Sequence, residues 1–173
     1  MAQLGGSAPR QMRAHIGHAP LVGVEWLVGS LPGAVSRPLL LHSFVALGSS
    51  SDPKACLVVD FLPERPTDPT TALALASGAG TQGVLRVKQL KGWVRGPALH
   101  TRRVAPLVPP REGEALLAAV EDFNRRYDTR LRLGSNDCHH YACALVAELT
   151  GRRLAPEELG KLREGGAGAG AGS

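Results

Sequence analysis

Segments with strand character fill the first two thirds of the chain, and segments with helix character fill the last third. Five segments are short apolar runs bounded by turn-forming residues, and they cover residues 22–28, 39–47, 56–62, 83–90 and 99–107. Three later segments have helical character, and they cover residues 112–127, 138–149 and 156–162. Strands that precede helices, instead of alternating with them, are typical of α+β folds. We therefore predict a small antiparallel sheet packed on two or three helices.

The composition predicts one globular domain with unstructured ends. The chain has 173 residues, of which 43% are hydrophobic and 20% are charged. We predict a disordered lead-in over residues 1–20, a single α+β domain over residues 21–163 and a flexible Gly/Ala tail over residues 164–173. Within the domain, residues 63–82 are rich in Pro, Thr, Gly and Ala, and we expect them to form a surface loop.

The second and third strand segments predict a β-hairpin that pairs a histidine with a carboxylate. They flank a turn cluster, Gly48–Pro53. His42 lies in an otherwise apolar run, where burying an imidazole is costly unless it has a partner. If the hairpin is centred on Ser51, Asp60 falls opposite His42 and the two side chains share one face. A structural His–Asp pair is the alternative to a catalytic one, and a one-residue change of register would separate the side chains.

Cys138 opens the segment that most strongly indicates chemistry. Ser135 and Asn136 are good N-cap residues, and Gly151 is a natural end for the helix. The cysteine therefore falls in the first turn, where backbone N–H groups and the helix dipole favour a thiolate. A thiolate with a histidine as proton acceptor is a nucleophile. A buried structural cysteine is the alternative interpretation.

Residues 136–141, Asn-Asp-Cys-His-His-Tyr, are followed by an apolar helix. This run resembles the Asn-Cys-x-His-Phe signature of lecithin retinol acyltransferase-like proteins. A histidine on an earlier strand precedes it, as in the circularly permuted papain-like group of thiol hydrolases, which includes the NlpC-like and PPPDE-type proteins. The sequence departs from this pattern at Asp137, which stands directly before the cysteine in place of asparagine. A carboxylate there opposes thiolate formation unless it points to solvent or to the helix N-terminus.

The resemblance implies a permuted papain-like fold and a role for each matching residue. Cys138 would be the nucleophile, His42 the base and Asp60 the third member of the triad, with Asn136 and His140 in supporting roles. The implied activity is that of a thiol-dependent hydrolase or acyltransferase on an amide or ester of a peptide, lipid or small acyl substrate, without a cofactor. The alternative is a catalytically inactive member of the same fold that acts as an interaction module.

The two histidines after Cys138 are expected to differ. Consecutive helical residues point about 100° apart, so they do not face the same site. We predict that His140 is partly buried and hydrogen-bonded, that His139 is more exposed on the face of Cys143, and that neither is the general base. The spacing of His139 and Cys143 suits two ligands of one metal ion, but no paired motif supplies further ligands, so we predict no metal site.

The remaining features limit the partners and the compartment. The net charge is +5, but the basic residues are scattered and aromatic residues make up only 4%, so we predict no nucleic-acid binding. No apolar run reaches the ~20 residues that span a bilayer. Three cysteines without framework spacing favour a reducing compartment, and we predict a cytoplasmic protein. The absence of acidic residues before Glu25 makes organellar targeting the second interpretation.

Overall fold

The computed structural model describes residues 11–20, 41–49, 52–94 and 100–161. The strands of this part are β1 Arg13–Pro20, β2 Leu41–Ser49, β3 Asp52–Pro63, β4 Thr81–Leu90, β5 His100–Pro106 and β6 Arg130–Leu131. Its helices are α1 Pro69–Ala76, α2 Gly113–Arg126, α3 Cys138–Thr150 and α4 Pro156–Lys161. The strands form an antiparallel sheet in the order β5-β1-β2-β3-β4-β6. The predicted α+β class is therefore confirmed, with four described helices instead of two or three.

Two segments that we expected to be irregular are regular. Residues 13–20 were placed in the disordered lead-in, but they form β1 between β5 and β2. Ile16 is the only large apolar residue of β1, so the sequence shows little alternation of apolar and polar residues there. Hydrogen bonding to β5 and β2, one on each edge, orders the strand. The predicted loop over residues 63–82 contains α1, which begins where the Asp68 side chain accepts the N–H of Thr70 at 2.8 Å. The predicted strand 22–28 and tail 164–173 lie outside the described residues.

The main core lies between one face of the sheet and helices α2 and α3. Val45 of β2 and Phe61 of β3 are fully buried beneath Tyr141 and Leu145 of α3. The hydroxyl of Tyr141 donates to the Asn124 side-chain oxygen at 2.7 Å, and this hydrogen bond joins α3 to α2. Helix α3 is therefore fixed against the centre of the sheet, with its first residue at a defined place. No described helix is long and apolar enough to cross a membrane.

The other face of the sheet carries a smaller cluster of Phe44, Ala46 and Cys56, with Trp93 packed against it. The ring of Phe44 lies over Gly17, which is its partner residue on β1, and a Cβ added at Gly17 would overlap that ring. The backbone of β1 must therefore stay bare at this point so that Phe44 can pack down onto the sheet.

Strands β2 and β3 separate at one end, and this separation creates the space for the candidate site. Their ladder ends at the pair Phe44–Asp60. Beyond it, β2 continues to pair with β1 as far as Leu41, and β3 continues to pair with β4 as far as Pro63. We call the gap beyond the Phe44–Asp60 pair the fork. It frees backbone groups of both strands that a continuing ladder would have used.

Candidate active site

Cys138 is the first residue of α3, as predicted, but the N-cap residue is Asp137, not Ser135 or Asn136. The Asp137 Oδ1 atom accepts the N–H groups of His139 at 3.0 Å and His140 at 3.2 Å. The carboxylate that stands in place of asparagine therefore points to the helix N-terminus and satisfies two of its free donors.

Asn136 supports the loop that leads into α3. Its side-chain amide donates to the carbonyl oxygens of Asp128 at 2.9 Å and Arg130 at 2.8 Å. The second Asp137 oxygen accepts the N–H of Gly134 at 2.8 Å. These bonds fix the turn before Cys138, so the entry of the chain into the helix is defined.

The sulfur of Cys138 lies at the fork. It accepts the backbone N–H of Ser43 at 3.5 Å, a donor that β3 no longer engages there. The Nδ1 atom of His139 lies 3.6 Å from the sulfur. In the described part of the chain, no hydrogen bond joins this sulfur to His42. The helix start therefore contacts β2 at the residue next to the predicted base.

The predicted pair of His42 and Asp60 is present, in a register different from the one we expected. The His42 Nε2 atom lies 3.2 Å from the Asp60 Oδ2 atom. Asp60 pairs with Phe44 instead of His42, so its partner on β2 is two residues away from the predicted one. An offset of two residues preserves the face of a side chain, and this is why the two groups still meet diagonally across the strands.

Arg86 completes this group, and the sequence analysis missed it. It lies opposite Asp60 on β4, and its Nε and Nη2 atoms donate to the two carboxylate oxygens at 2.7 and 2.6 Å. Burial opposes ionisation of Asp60, but hydrogen bonds from His42 and Arg86 outweigh it and lower its pKa to about 2. The pairing of β3 with β4 places Arg86 opposite Asp60. Because the predicted loop over residues 63–82 separates these two strands, the sequence did not define their register.

The charge on Asp60 determines which nitrogen of His42 carries hydrogen. An ionised carboxylate can only accept, so Nε2 is the protonated nitrogen of a neutral His42 ring. The Nδ1 atom then presents a lone pair. It is buried and has no hydrogen-bond partner among the residues that the structure describes. A proton acceptor is thus available one residue from the Ser43 N–H that binds the sulfur.

The imidazoles of His42 and His139 lie on opposite faces of the sheet. Asp60 alternates with Val59 and Phe61, which are in the core beneath α3, so Asp60 and its partner His42 lie on the other face. The His139 ring lies on the α3 face.

His139, which we predicted to be the more exposed of the two histidines, is half-buried and contacts β2. Its Nδ1 atom is 2.7 Å from the hydroxyl of Ser43, whose oxygen is also 3.0 Å from Nδ1 of His18. His139 sits in the first turn of α3 beside the sheet, so the 100° separation of neighbours brings it, and not His140, against β2. The prediction for His140 is confirmed, since it is partly buried and its Nδ1 bonds to Asp137 at 2.8 Å.

The surroundings of the sulfur favour a neutral thiol, whereas the position at the helix N-terminus predicted a thiolate. Burial raises the pKa of Cys138 to about 12; the Ser43 N–H opposes this rise and the charge of Asp137 adds to it. The helix N-terminus therefore does not dominate, partly because Asp137 already engages its N–H groups. The other two cysteines, Cys56 and Cys143, are also free and lie in the two apolar clusters.

Within the described ranges, no group of three or more His, Cys, Asp or Glu side chains could hold a metal ion. Comparisons of the chain with family models, with curated proteins and with solved structures found no match.

Proposed function

We propose that this protein is a thiol-dependent hydrolase or acyltransferase in which Cys138 is the nucleophile, His42 the proton acceptor and Asp60 the residue that orients His42. The observation that carries the proposal is the position of the sulfur. It lies at the start of a helix and on the Ser43 N–H, and the residue before Ser43 in the chain is a histidine whose Nε2 atom engages a carboxylate. Nucleophile, base and orienting group in this order define a catalytic triad. The permuted papain-like resemblance supports the same roles.

His42 is a better proton acceptor than His139, although His139 is the ring that the sulfur contacts. The Nδ1 atom of His139 already shares a hydrogen bond with the Ser43 hydroxyl at 2.7 Å. The Nδ1 atom of His42 has its lone pair free, because Asp60 holds the hydrogen on Nε2. Proton transfer therefore requires the His42 ring and the sulfur to meet at the fork when substrate binds, since hydrogen bonds of a resting site commonly tighten only with substrate.

The proposed reaction starts from a thiol and not from an ion pair. The sulfur of Cys138 attacks the carbonyl carbon while its proton passes to Nδ1 of His42, and the carbonyl π electrons move to oxygen. The Cys138 N–H stabilises this oxyanion. The C–O or C–N bond then breaks, and His42 protonates the leaving alcohol or amine. Water or a second acceptor attacks the carbonyl carbon of the resulting thioester and gives its proton to His42. The C–S bond then breaks, the acyl product leaves and His42 returns the proton to the sulfur.

We propose an amide or ester of a peptide, lipid or small acyl group as the substrate, since a triad of this kind needs no cofactor. The three free cysteines support a reducing compartment such as the cytoplasm.

The second candidate function is a non-catalytic interaction module. It is favoured by the burial of the Cys138 sulfur and by the Asp137 cap, which removes two N–H donors from the site.

The test uses p-nitrophenyl acetate as a generic acyl donor, followed by mass spectrometry of the intact protein and its peptides. We expect an acetyl thioester on Cys138 in the wild type and none in Cys138→Ala. His42→Gln should slow acetylation by about 10²-fold or more, and His139→Gln should slow it much less. Cys143→Ala, which alters a core cysteine, is the matched control and should still form the Cys138 adduct.

Three outcomes would count against the proposal in different ways. Acetylation of Cys138 no faster than that of Cys56 and Cys143 would support the interaction module. Loss of acetylation in His139→Gln, with His42→Gln unaffected, would make His139 the base. Full activity in Cys138→Ala would remove the nucleophile assignment.

A further inference from the structure

We infer that Arg86 is a positioning residue, which fixes the Asp60 carboxylate so that His42 holds its hydrogen on Nε2 and keeps Nδ1 free. This inference rests on the proposed function for its catalytic meaning. In the part of the chain that the structure describes, no hydrogen bond joins Arg86 to the sulfur or to His42, and Arg86 acts through Asp60.

The geometry of the Arg86–Asp60 contact leaves the carboxylate only one orientation. The Nε atom of Arg86 donates to Oδ1, and its Nη2 atom donates to Oδ2, in a two-point arrangement. Because both oxygens are held, the carboxylate plane cannot rotate. The Oδ2 atom is thereby kept 3.2 Å from Nε2 of His42. A single hydrogen bond from His42 would leave that rotation free.

The charge of Arg86 matters as much as its shape. The Asp60 side chain is only 9% exposed, so its negative charge requires a compensating partner. Arg86, which is 38% exposed, supplies the positive charge from a position that water still reaches. His42 is therefore not needed as the cation of this group. A neutral imidazole can remain beside Asp60 and is able to accept a proton.

The alternative is that Arg86 and Asp60 form an ion pair that only stabilises the sheet. The tautomer of His42 separates the two interpretations, because an ion pair of purely structural value would not control it. It can be measured from the ring nitrogen resonances of ¹⁵N-histidine-labelled protein, with His42→Gln identifying the His42 signals. Thermal stability is recorded on the same samples.

We expect wild-type His42 to be overwhelmingly in the form with hydrogen on Nε2. Arg86→Gln should produce a mixture of both tautomers and slow acetylation of Cys138 by about tenfold or more. Arg86→Lys keeps the charge but loses the two-point geometry, so it should restore part of the tautomer preference, and it serves if Arg86→Gln does not fold. Arg126→Gln breaks a surface ion pair with Asp122 and Glu148 and is the matched control.

An unchanged tautomer in Arg86→Gln or Arg86→Lys, with lower thermal stability alone, would overturn the inference. So would an equal loss of tautomer preference in Arg126→Gln. Failure of the proposed function would appear differently, as a wild-type protein that does not acetylate Cys138 while the effect of Arg86 on the His42 tautomer persists.

Discussion

The backbone N–H of Ser43 donates to the sulfur of Cys138 across 3.5 Å, at the fork where β2 and β3 stop pairing. One hydrogen bond thus connects the start of α3 to the centre of the sheet. It also orders the groups around the sulfur, since the side chain of Ser43 bonds to His139 on one face and the preceding residue, His42, faces the other. The same burial that builds this arrangement keeps the sulfur protonated.

The raised pKa of Cys138 predicts a loss of stability at alkaline pH. Its folded-state pKa is about 12, against 9.0 for an unperturbed thiol. The unfolded chain therefore releases this proton first, so the stabilising contribution is complete below pH 9 and is lost as the pH rises towards 12. We expect Cys138→Ala to flatten the decline of the free energy of unfolding between pH 9 and 11. Urea unfolding at several pH values measures this, and parallel curves for the two proteins would contradict it.

Asp137 is predicted to stabilise the fold while suppressing the reactivity of Cys138. Asp137→Ala removes the cap of α3 and should cost about 0.5–2 kcal/mol. Asp137→Asn removes the charge that raises the pKa of the Cys138 thiol, so iodoacetamide should label Cys138 faster. Asp68 caps α1 and is the control: Asp68→Ala should destabilise by a similar amount, and Asp68→Asn should leave the labelling rate of Cys138 unchanged. Slower or unchanged labelling in Asp137→Asn would show that its charge does not act on the sulfur.

His15 is predicted to make the protein sensitive to mild acid. Burial, together with the charges of Arg103 and Arg13, lowers its pKa from 6.5 to about 4. Its ring packs edge-on against Trp93 at 4.6 Å. The unfolded chain takes up a proton before the folded one, so stability is complete above pH 6.5 and is lost as the pH falls towards 4. Melting temperatures from pH 7 to 4.5 should fall less steeply in His15→Gln than in the wild type, and an equal slope would assign the acid sensitivity to other groups.

Gly17 is predicted to be required by the ring of Phe44. Gly17→Ala places a Cβ in the space of that ring and should cost about 1–3 kcal/mol in the free energy of unfolding. Phe44→Leu removes the ring that the added Cβ would overlap, but this substitution by itself also lowers the free energy of unfolding. The double variant should therefore be more stable than the sum of the two losses predicts, as measured by a double-mutant cycle in urea. Strict additivity would mean that the overlap is relieved elsewhere.

Local pattern in the sequence determined the α+β class, the β2–β3 hairpin and the start of α3 at Cys138. It also determined that His42 and Asp60 share a face, because strand periodicity survives an offset of two residues even when the opposing residue changes. Their catalytic roles, and those of Cys138, Asn136 and His140, stay predictions.

Only the tertiary structure decided what surrounds the sulfur. Arg86 reaches Asp60 through the register of a third strand, and His139 reaches Ser43 because the helix start lies in the fork; both relationships join residues far apart in the chain. The protonation of Cys138 was decided in the same way. The helix N-terminus, which the sequence reveals, favours a thiolate, but the burial that the assembled sheet imposes raises the pKa, and burial is a property of packing that no local pattern encodes.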